Sequence, residues 1–328
     1  MSAEGTRDTG RSNFVSAPDG LRLHVREYGP RTAPPLPVVC LPGLARTVAD
    51  FEVLAPALAH GGARQRRVIA IDSRGRGRSD YDRNPDNYNL AVELADIVAV
   101  LTALAVGPAV VVGSSRGGLL ALQLGVAHPT ALAGVVLHDI GPVIEAKGLA
   151  RIKSYVGKLP QPRSFEEGSE ILRHLFAPQF PKLTREQWLG AARRTWQMKD
   201  KALQPTYDVR LSRTLAGIDI ERPLPPLWNE FDALARVPLM VIRGAYSDIL
   251  SAGTAASMQA RRPDLTLIEV PDQGHVPVLE GEDLIRRVAQ FVTACERPPA
   301  AGFASDSESW SAAASGSADP ARTDALLR

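Results

Sequence analysis

Short apolar runs punctuate the first 140 residues and return near the end of the chain. Val38-Val39-Cys40-Leu41, Val68-Ile69-Ala70-Ile71, Ala109-Val110-Val111-Val112 and Val135-Val136-Leu137 are continuous rather than alternating. Strands covered on both faces read this way, as in a parallel sheet layered between helices. Leu239-Met240-Val241-Ile242 and Leu265-Thr266-Leu267-Ile268 repeat the pattern. Between the runs the apolar spacing becomes helical, at Phe51 to Ala59, Leu90 to Ala105, Arg116 to Ala127, Gly253 to Arg261 and Glu282 to Ala294. Strand and helix in alternation predict an α/β domain with a mostly parallel sheet. Ahead of it, Ala17-Pro18-Asp19-Gly20 supplies turn chemistry between Phe14-Val15 and Leu21 to Glu27. That predicts an antiparallel hairpin at the sheet edge.

The alternation stops at about Gly141 and resumes at about Val237. The segment between is rich in helix formers and holds Trp188, Trp196 and Trp228, three of the four tryptophans. The expected division is therefore a core over 13–140 and 237–296, with a helical cap inserted over 141–236. Residues 1–12 and 297–328 are too polar or too small-residue-rich to build a core, and are expected to be disordered.

Composition narrows the function classes. The chain is 45% hydrophobic and 23% charged, with a formal net charge of +2, so no strong field draws it to nucleic acid or an anionic membrane. The basic clusters Arg64-Gln65-Arg66-Arg67 and Arg74, Arg76 and Arg78 read as solvated loops. Cys40, in a predicted buried strand, and Cys295, near the end of the last helix, read as reduced thiols. The N-terminus lacks the apolar core of a signal peptide. The uncharged stretch Ile97 to Ser115 is divided by Gly107-Pro108 into a helix end and a strand start. A soluble, cytoplasmic protein with a small-molecule substrate is expected, and no nucleic-acid or membrane partner. Metal-ligand spacings and a P-loop are both missing, and Gly75-x-Gly77 lacks the third glycine of a dinucleotide fingerprint. No metal or cofactor is expected.

The chemistry centres on Gly113-Ser114-Ser115-Arg116-Gly117, a G-x-S-x-G match in which a nucleophilic serine sits on a sharp strand-to-helix turn. By pattern alone, a chance match in a chain of this length is on the order of one in ten. The strand before it and the helix after it supply the context that the motif needs. A serine hydroxyl needs a base, and His275 follows a strand through the short loop Pro271-Asp272-Gln273-Gly274. That places it at the carboxyl edge of the sheet, where ligands bind in open α/β folds. His138 is the rival at the same edge. For the acid that orients the imidazole, Asp248, six residues past Ile242, is favoured over Asp139, which follows the preceding strand. Oxyanion donors are expected from the N–H groups of Arg116 and Leu44, the latter in Leu41-Pro42-Gly43-Leu44. Trp188 is expected on the pocket wall.

These motifs together resemble the α/β-hydrolase superfamily, most closely its bacterial lid-bearing serine hydrolases. The likeness covers roughly Phe14 to Cys295. It implies an eight-stranded sheet with one antiparallel strand, a cap inserted after the sixth strand, and nucleophile, acid and base roles for Ser115, Asp248 and His275. Two positions depart from the common pattern. Pro42-Gly43 stands where His-Gly is frequent, and residue 116 is arginine, whose side chain is expected to pair with an acid on the cap in preference to a substrate carboxylate. Hydrolysis of a small ester or lactone is the function this implies. The alternatives are C–C hydrolysis of a diketone-like ring-cleavage product and a non-enzymatic ligand receptor on the same fold.

Overall fold

The apolar runs become the middle of one sheet, because strands covered on both faces have no side that must stay polar. The computed structural model describes residues 10–219, 222 and 224–296. The first part of the chain forms β1 (Arg11–Ser16), β2 (Arg22–Tyr28), β3 (Val38–Leu41), α1 (Leu54–His60), β4 (Val68–Ile71), α2 (Leu90–Ala103), β5 (Ala109–Ser114), α3 (Arg116–Ala127) and β6 (Leu132–His138). An insertion follows, with α4 (Ala146–Tyr155), α5 (Phe165–Phe176), α6 (Arg185–Thr195) and the hairpin β7 (Trp196–Lys199) and β8 (Ala202–Pro205). The chain then completes the domain with α7 (Trp228–Asp232), β9 (Leu239–Gly244), α8 (Ala252–Arg261), β10 (Thr266–Val270) and α9 (Glu282–Ala294).

Eight strands form one sheet in the order β1-β2-β4-β3-β5-β6-β9-β10. Only β2 runs against the rest: it is antiparallel to β1 and β4, and every other neighbouring pair among β3, β4, β5, β6, β9 and β10 is parallel. Alternate residues of the central strands feed two cores. Val39, Leu41, Val111 and Val135 pack toward α2 and α3, while Val38, Cys40, Val110 and Val112 pack with Phe51, Val288 and Phe291 on the opposite face. Both cysteines are free and lie in the second core, where burial pushes the Cys40 thiol up and the Cys295 thiol up to about 11. Among the described residues, no helix is long and apolar enough to cross a membrane.

Three features differ from the sequence expectation. β1 starts at Arg11, inside the stretch expected to be disordered; the remaining tail residues 1–9 and 297–328 lie outside the described residues. The expected insertion is also not set apart from the core as a whole, since Ile152, Tyr207 and Leu211 belong to the main core. Phe231 and Leu234, three apart on α7 and the turn after it, point into the core beside α3, and Leu234 lies against Gly125. The cap has a small core of its own, built on Leu172, Phe180, Trp188, Ala192, Trp196 and Leu203.

The third difference is the arginines. Arg74 and Arg76 are each 1% exposed and not solvated at all. Arg74 grips Asp96 through Nε and Nη2 at 2.7 and 2.6 Å, and Nη1 reaches Asp82 at 2.6 Å and Asp19 at 2.8 Å. Arg67 binds Glu27, and Arg66 binds Glu296 at 2.8 Å. A buried guanidinium without an acid costs several kcal/mol, so such pairing is required rather than optional. Apart from Asp82, eight residues on from Arg74, the acids come from positions far away in the chain, which no local pattern reveals.

Arg76 is held by Glu93 of α2 at 2.7 Å, and its Nε donates to the Leu44 carbonyl at 2.7 Å. The other oxygen of Glu93 takes the Arg116 Nε at 2.8 Å. Glu93 is itself 1% exposed, and although burial pushes its carboxyl up, the two guanidiniums hold it below the usual range. Replacing it by the neutral Glu93→Gln leaves Arg76 buried without a counter-charge. Equilibrium urea unfolding is expected to show a loss of about 3 kcal/mol with an unchanged m value.

Candidate active site

The site begins at the turn from β5 into α3. Ser115 occupies it with φ 50° and ψ −114°, a conformation that side-chain-bearing residues rarely adopt. Two glycines make the turn possible by close approach. A Cβ on Gly113 would collide with the Gly117 carbonyl, and one on Gly117 with the carbonyl of Leu41. The Ser115 N–H donates to the His138 carbonyl at 2.9 Å, and its own carbonyl accepts from Gly118 at 2.8 Å. The hydroxyl is thereby fixed above the sheet.

His275 arrives from the loop after β10. That loop is pinned to the loop after β9 by Ala245 N–H to Val270 O and Tyr246 N–H to Gln273 O, both 2.9 Å. Its Nε2 lies 2.8 Å from Ser115 Oγ, and its Nδ1 lies 2.8 Å from Asp139 Oδ2. An ionised carboxylate only accepts, so Nδ1 carries the hydrogen and Nε2 is left to accept from the serine. Asp139 is fully buried, takes the Gly244 N–H on Oδ1 at 2.7 Å, and takes the Ser247 hydroxyl on Oδ2 at 2.6 Å.

The favoured acid of the sequence reading is therefore corrected: the imidazole meets Asp139, not Asp248. β6 lies between β5 and β9, so a residue directly after β6 stands beside both the serine turn and the histidine loop. Asp248 comes four residues after β9 ends, past a turn closed by Ser247 N–H to Gly244 O at 2.9 Å. That turn presents Ser247 to Asp139 and sends Asp248 toward the cap. There Asp248 is gripped by Arg151 of α4 at 2.6 and 2.7 Å. Burial pushes the Asp248 carboxyl up, but the Arg151 hydrogen bonds outweigh it and hold it below the usual carboxylate range.

His138, the rival base, points elsewhere. It is 1% exposed and its Nδ1 lies 2.8 Å from Ser114 Oγ. Leu44 and Arg116 flank Ser115, from the loop after β3 and from the first residue of α3. The Arg116 side chain does pair with an acid, but with Glu93 on α2 and not on the cap. Trp188 lies on the wall of the large cavity, set edge-on to Phe180 with ring centroids 6.3 Å apart.

Two cavities meet at Ser115 and Leu44. One, of about 190 Å³, reaches His275 and lies beneath cap residues including Tyr155, Phe176 and Trp188. The other, of about 80 Å³, reaches Arg116 and is walled mainly by leucine and isoleucine, Leu90, Ile140, Leu149 and Leu215 among them. Sequence reasoning missed four charged residues on the larger wall, Arg46, Asp50, Arg194 and Glu280. They come from three separate stretches and carry no motif.

A family model described as alpha/beta hydrolase fold matches residues 37–282. The chain belongs to the α/β-hydrolase family. A 3-hydroxybutyrate-oligomer hydrolase of Cupriavidus necator is 33% identical to it over 299 residues, 86% of this chain and 98% of that protein. A 2-(acetamidomethylene)succinate hydrolase of Mesorhizobium japonicum is 27% identical over 277 residues, 84% of this chain and 92% of that protein. The crystal structure of an α/β hydrolase from Novosphingobium aromaticivorans matches with a TM-score of 0.78 at 35% identity, covering 87% of this chain and 98% of that one.

His138 gives this α/β hydrolase a measurable acid limb. Burial pushes its imidazole from 6.5 down to about 4. The unfolded chain therefore binds a proton before the folded one does, and stability falls as pH drops from about 6.5 toward 4. The component is on the order of 3 kcal/mol. In His138→Gln, the difference in unfolding free energy between pH 7 and pH 4 is expected to shrink by about that amount, measured by urea titration at each pH.

Proposed function

We propose that this α/β hydrolase cleaves small carboxylic esters through an acyl-enzyme on Ser115. The observation that carries the reading is the unbroken relay of two 2.8 Å hydrogen bonds from Ser115 through His275 to the buried Asp139. As Ser115 Oγ attacks the ester carbonyl, His275 Nε2 takes the hydroxyl proton and Asp139 stabilises the imidazolium. The Leu44 and Arg116 N–H groups receive the oxyanion, helped by the positive end of α3. Collapse breaks the carbon–oxygen bond to the alcohol, and His275 returns its proton to the departing oxygen. Water then attacks the acyl carbon, giving a proton to His275, and the second collapse releases the acid and restores the serine. One ester and one water become one acid and one alcohol.

Similarity to a 3-hydroxybutyrate-oligomer hydrolase over nearly its whole length supports oxygen esters of short hydroxy acids as the substrate class. The test is pre-steady-state release of nitrophenol from p-nitrophenyl butyrate. A burst equal to the enzyme concentration is expected, with a loss of at least about 10³-fold in Ser115→Ala. Undiminished activity in that variant would end the proposal, and stoichiometric labelling without turnover would point to a binder.

The choice of acid has its own check. Asp139→Asn is expected to lower kcat by about 10³–10⁴-fold. Asp248→Asn is expected to cost about 1–2 kcal/mol of stability while keeping kcat within about tenfold. The opposite ranking would return the role to Asp248.

A further inference from the structure

Ser115 opens on two cavities, and only one of them contains the base. When the tetrahedral intermediate collapses, the imidazolium must hand its proton to the departing oxygen. His275 lines the cavity of about 190 Å³ and not the one of about 80 Å³. The leaving group therefore occupies the larger cavity, and the acyl chain extends into the smaller. Pockets for drug-sized molecules span roughly 300–1,000 Å³, so the acyl side has room for little beyond the reacting carbonyl.

One side chain of the cap stands between the two. Among the described residues, Ser115, Leu44 and Ile152 line both cavities. Ser115 is the nucleophile and Leu44 belongs to the loop after β3, which leaves Ile152 of α4 as the cap's share of the divide. Three residues earlier, Leu149 lines only the small cavity, and three residues later, Tyr155 lines only the large one. Successive turns of α4 thus face successive chambers, with Ile152 on the boundary. The helix is seated firmly on the loop after β9. Glu145 N–H donates to Ile249 O at 3.0 Å, and Arg151 grips Asp248 at 2.6 and 2.7 Å. A Cβ on Gly148 would collide with the Asp248 carbonyl, so helix and loop are in direct backbone contact. Asp248, which the imidazole leaves unused, is an anchor for the helix that carries the divide.

Building on the acyl-enzyme reading, we propose that Ile152 sets the acyl-chain length this enzyme accepts, and that the Arg151–Asp248 pair positions it. The enzyme is then narrow toward the acyl group and broad toward the alcohol. Removing carbons from residue 152 joins the small cavity to the large one and gives a longer acyl chain somewhere to go. Loosening α4 at Asp248 does the same by displacement rather than by deletion.

The experiment measures kcat/KM on p-nitrophenyl butyrate and octanoate, per active site counted from the nitrophenol burst, so that a partly misfolded variant leaves the ratio unchanged. Phenyl and 2-naphthyl butyrate, whose leaving groups are similarly acidic, report on the alcohol side. The unsubstituted enzyme is expected to favour butyrate over octanoate by about tenfold or more, as a closed apolar wall discriminates. It is expected to cut the phenyl and naphthyl esters at similar rates. In Ile152→Ala the preference for butyrate over octanoate is expected to fall by about tenfold, and in Ile152→Val by less. Asp248→Asn is expected to lower it in the same direction, which a role in stability alone would not do. An unchanged preference in both residue-152 variants would overturn the assignment of Ile152, and an unchanged preference in Asp248→Asn would overturn the anchor. An unsubstituted enzyme that accepts octanoate as readily as butyrate but rejects the naphthyl ester would reverse the two cavities. If any of these occurs while the burst persists, the divide falls and the acyl-enzyme stands. If the burst is missing, both fall.

Discussion

One buried carboxylate beside the Ser115 turn holds two arginines that would otherwise be intolerable there. Glu93 binds Arg116, the first residue of the helix behind Ser115, and Arg76, which in turn holds the Leu44 carbonyl. The two backbone segments proposed to receive the oxyanion are thus tied to a single side chain on α2. Preorganisation of this kind matters because donors that must reorient during the reaction lose much of their value. The same arginine loop also supports the cap. Gly77 N–H donates to Thr206 O at 2.7 Å and Asp208 N–H to Gly75 O at 2.8 Å, so cap, loop and serine turn form one mechanical unit. Asp72 adds to it by accepting the Val48 N–H at 2.8 Å and pairing with the fully buried His24 at 2.7 Å.

Most of the fold was legible because it rests on local pattern. Every continuous apolar run became a strand, and the helices fell between them within a few residues of their expected ends. The serine turn and the histidine were legible too, one from its glycines and the other from its place after a strand. What could not be read was anything set by long-range electrostatics. Arg74 and Arg76 look like a solvated basic loop until Asp19, Asp82, Asp96 and Glu93 are brought to them in space. Asp139 and Asp248 posed the same difficulty. Both follow strands that end near the histidine, and only the turn at Ser247, with Arg151 waiting on α4, separates their directions.

The cap divides its labour along similar lines. Its tryptophans serve its own packing, with Trp196 fully buried and Trp188 turned partly to the chamber wall. Its charged residues reach down: Arg151 to Asp248 on one side, Arg194 to Glu280 and Asp50 on the other. Apolar packing inside the cap and ion pairs beneath it separate the forces that shape the lid from those that seat it.

The position of Asp139 carries a consequence for how such a molecule can diversify. It stands immediately after β6, before the chain departs into the insertion. Its backbone N–H is tied to the Ile242 carbonyl at 2.7 Å and its carboxylate to Gly244. The imidazole's partner is therefore anchored to the scaffold at the root of the lid and owes nothing to the lid's own sequence. Everything in the lid beyond that root can be lengthened, shortened or exchanged without touching a hydrogen-bond partner of Asp139.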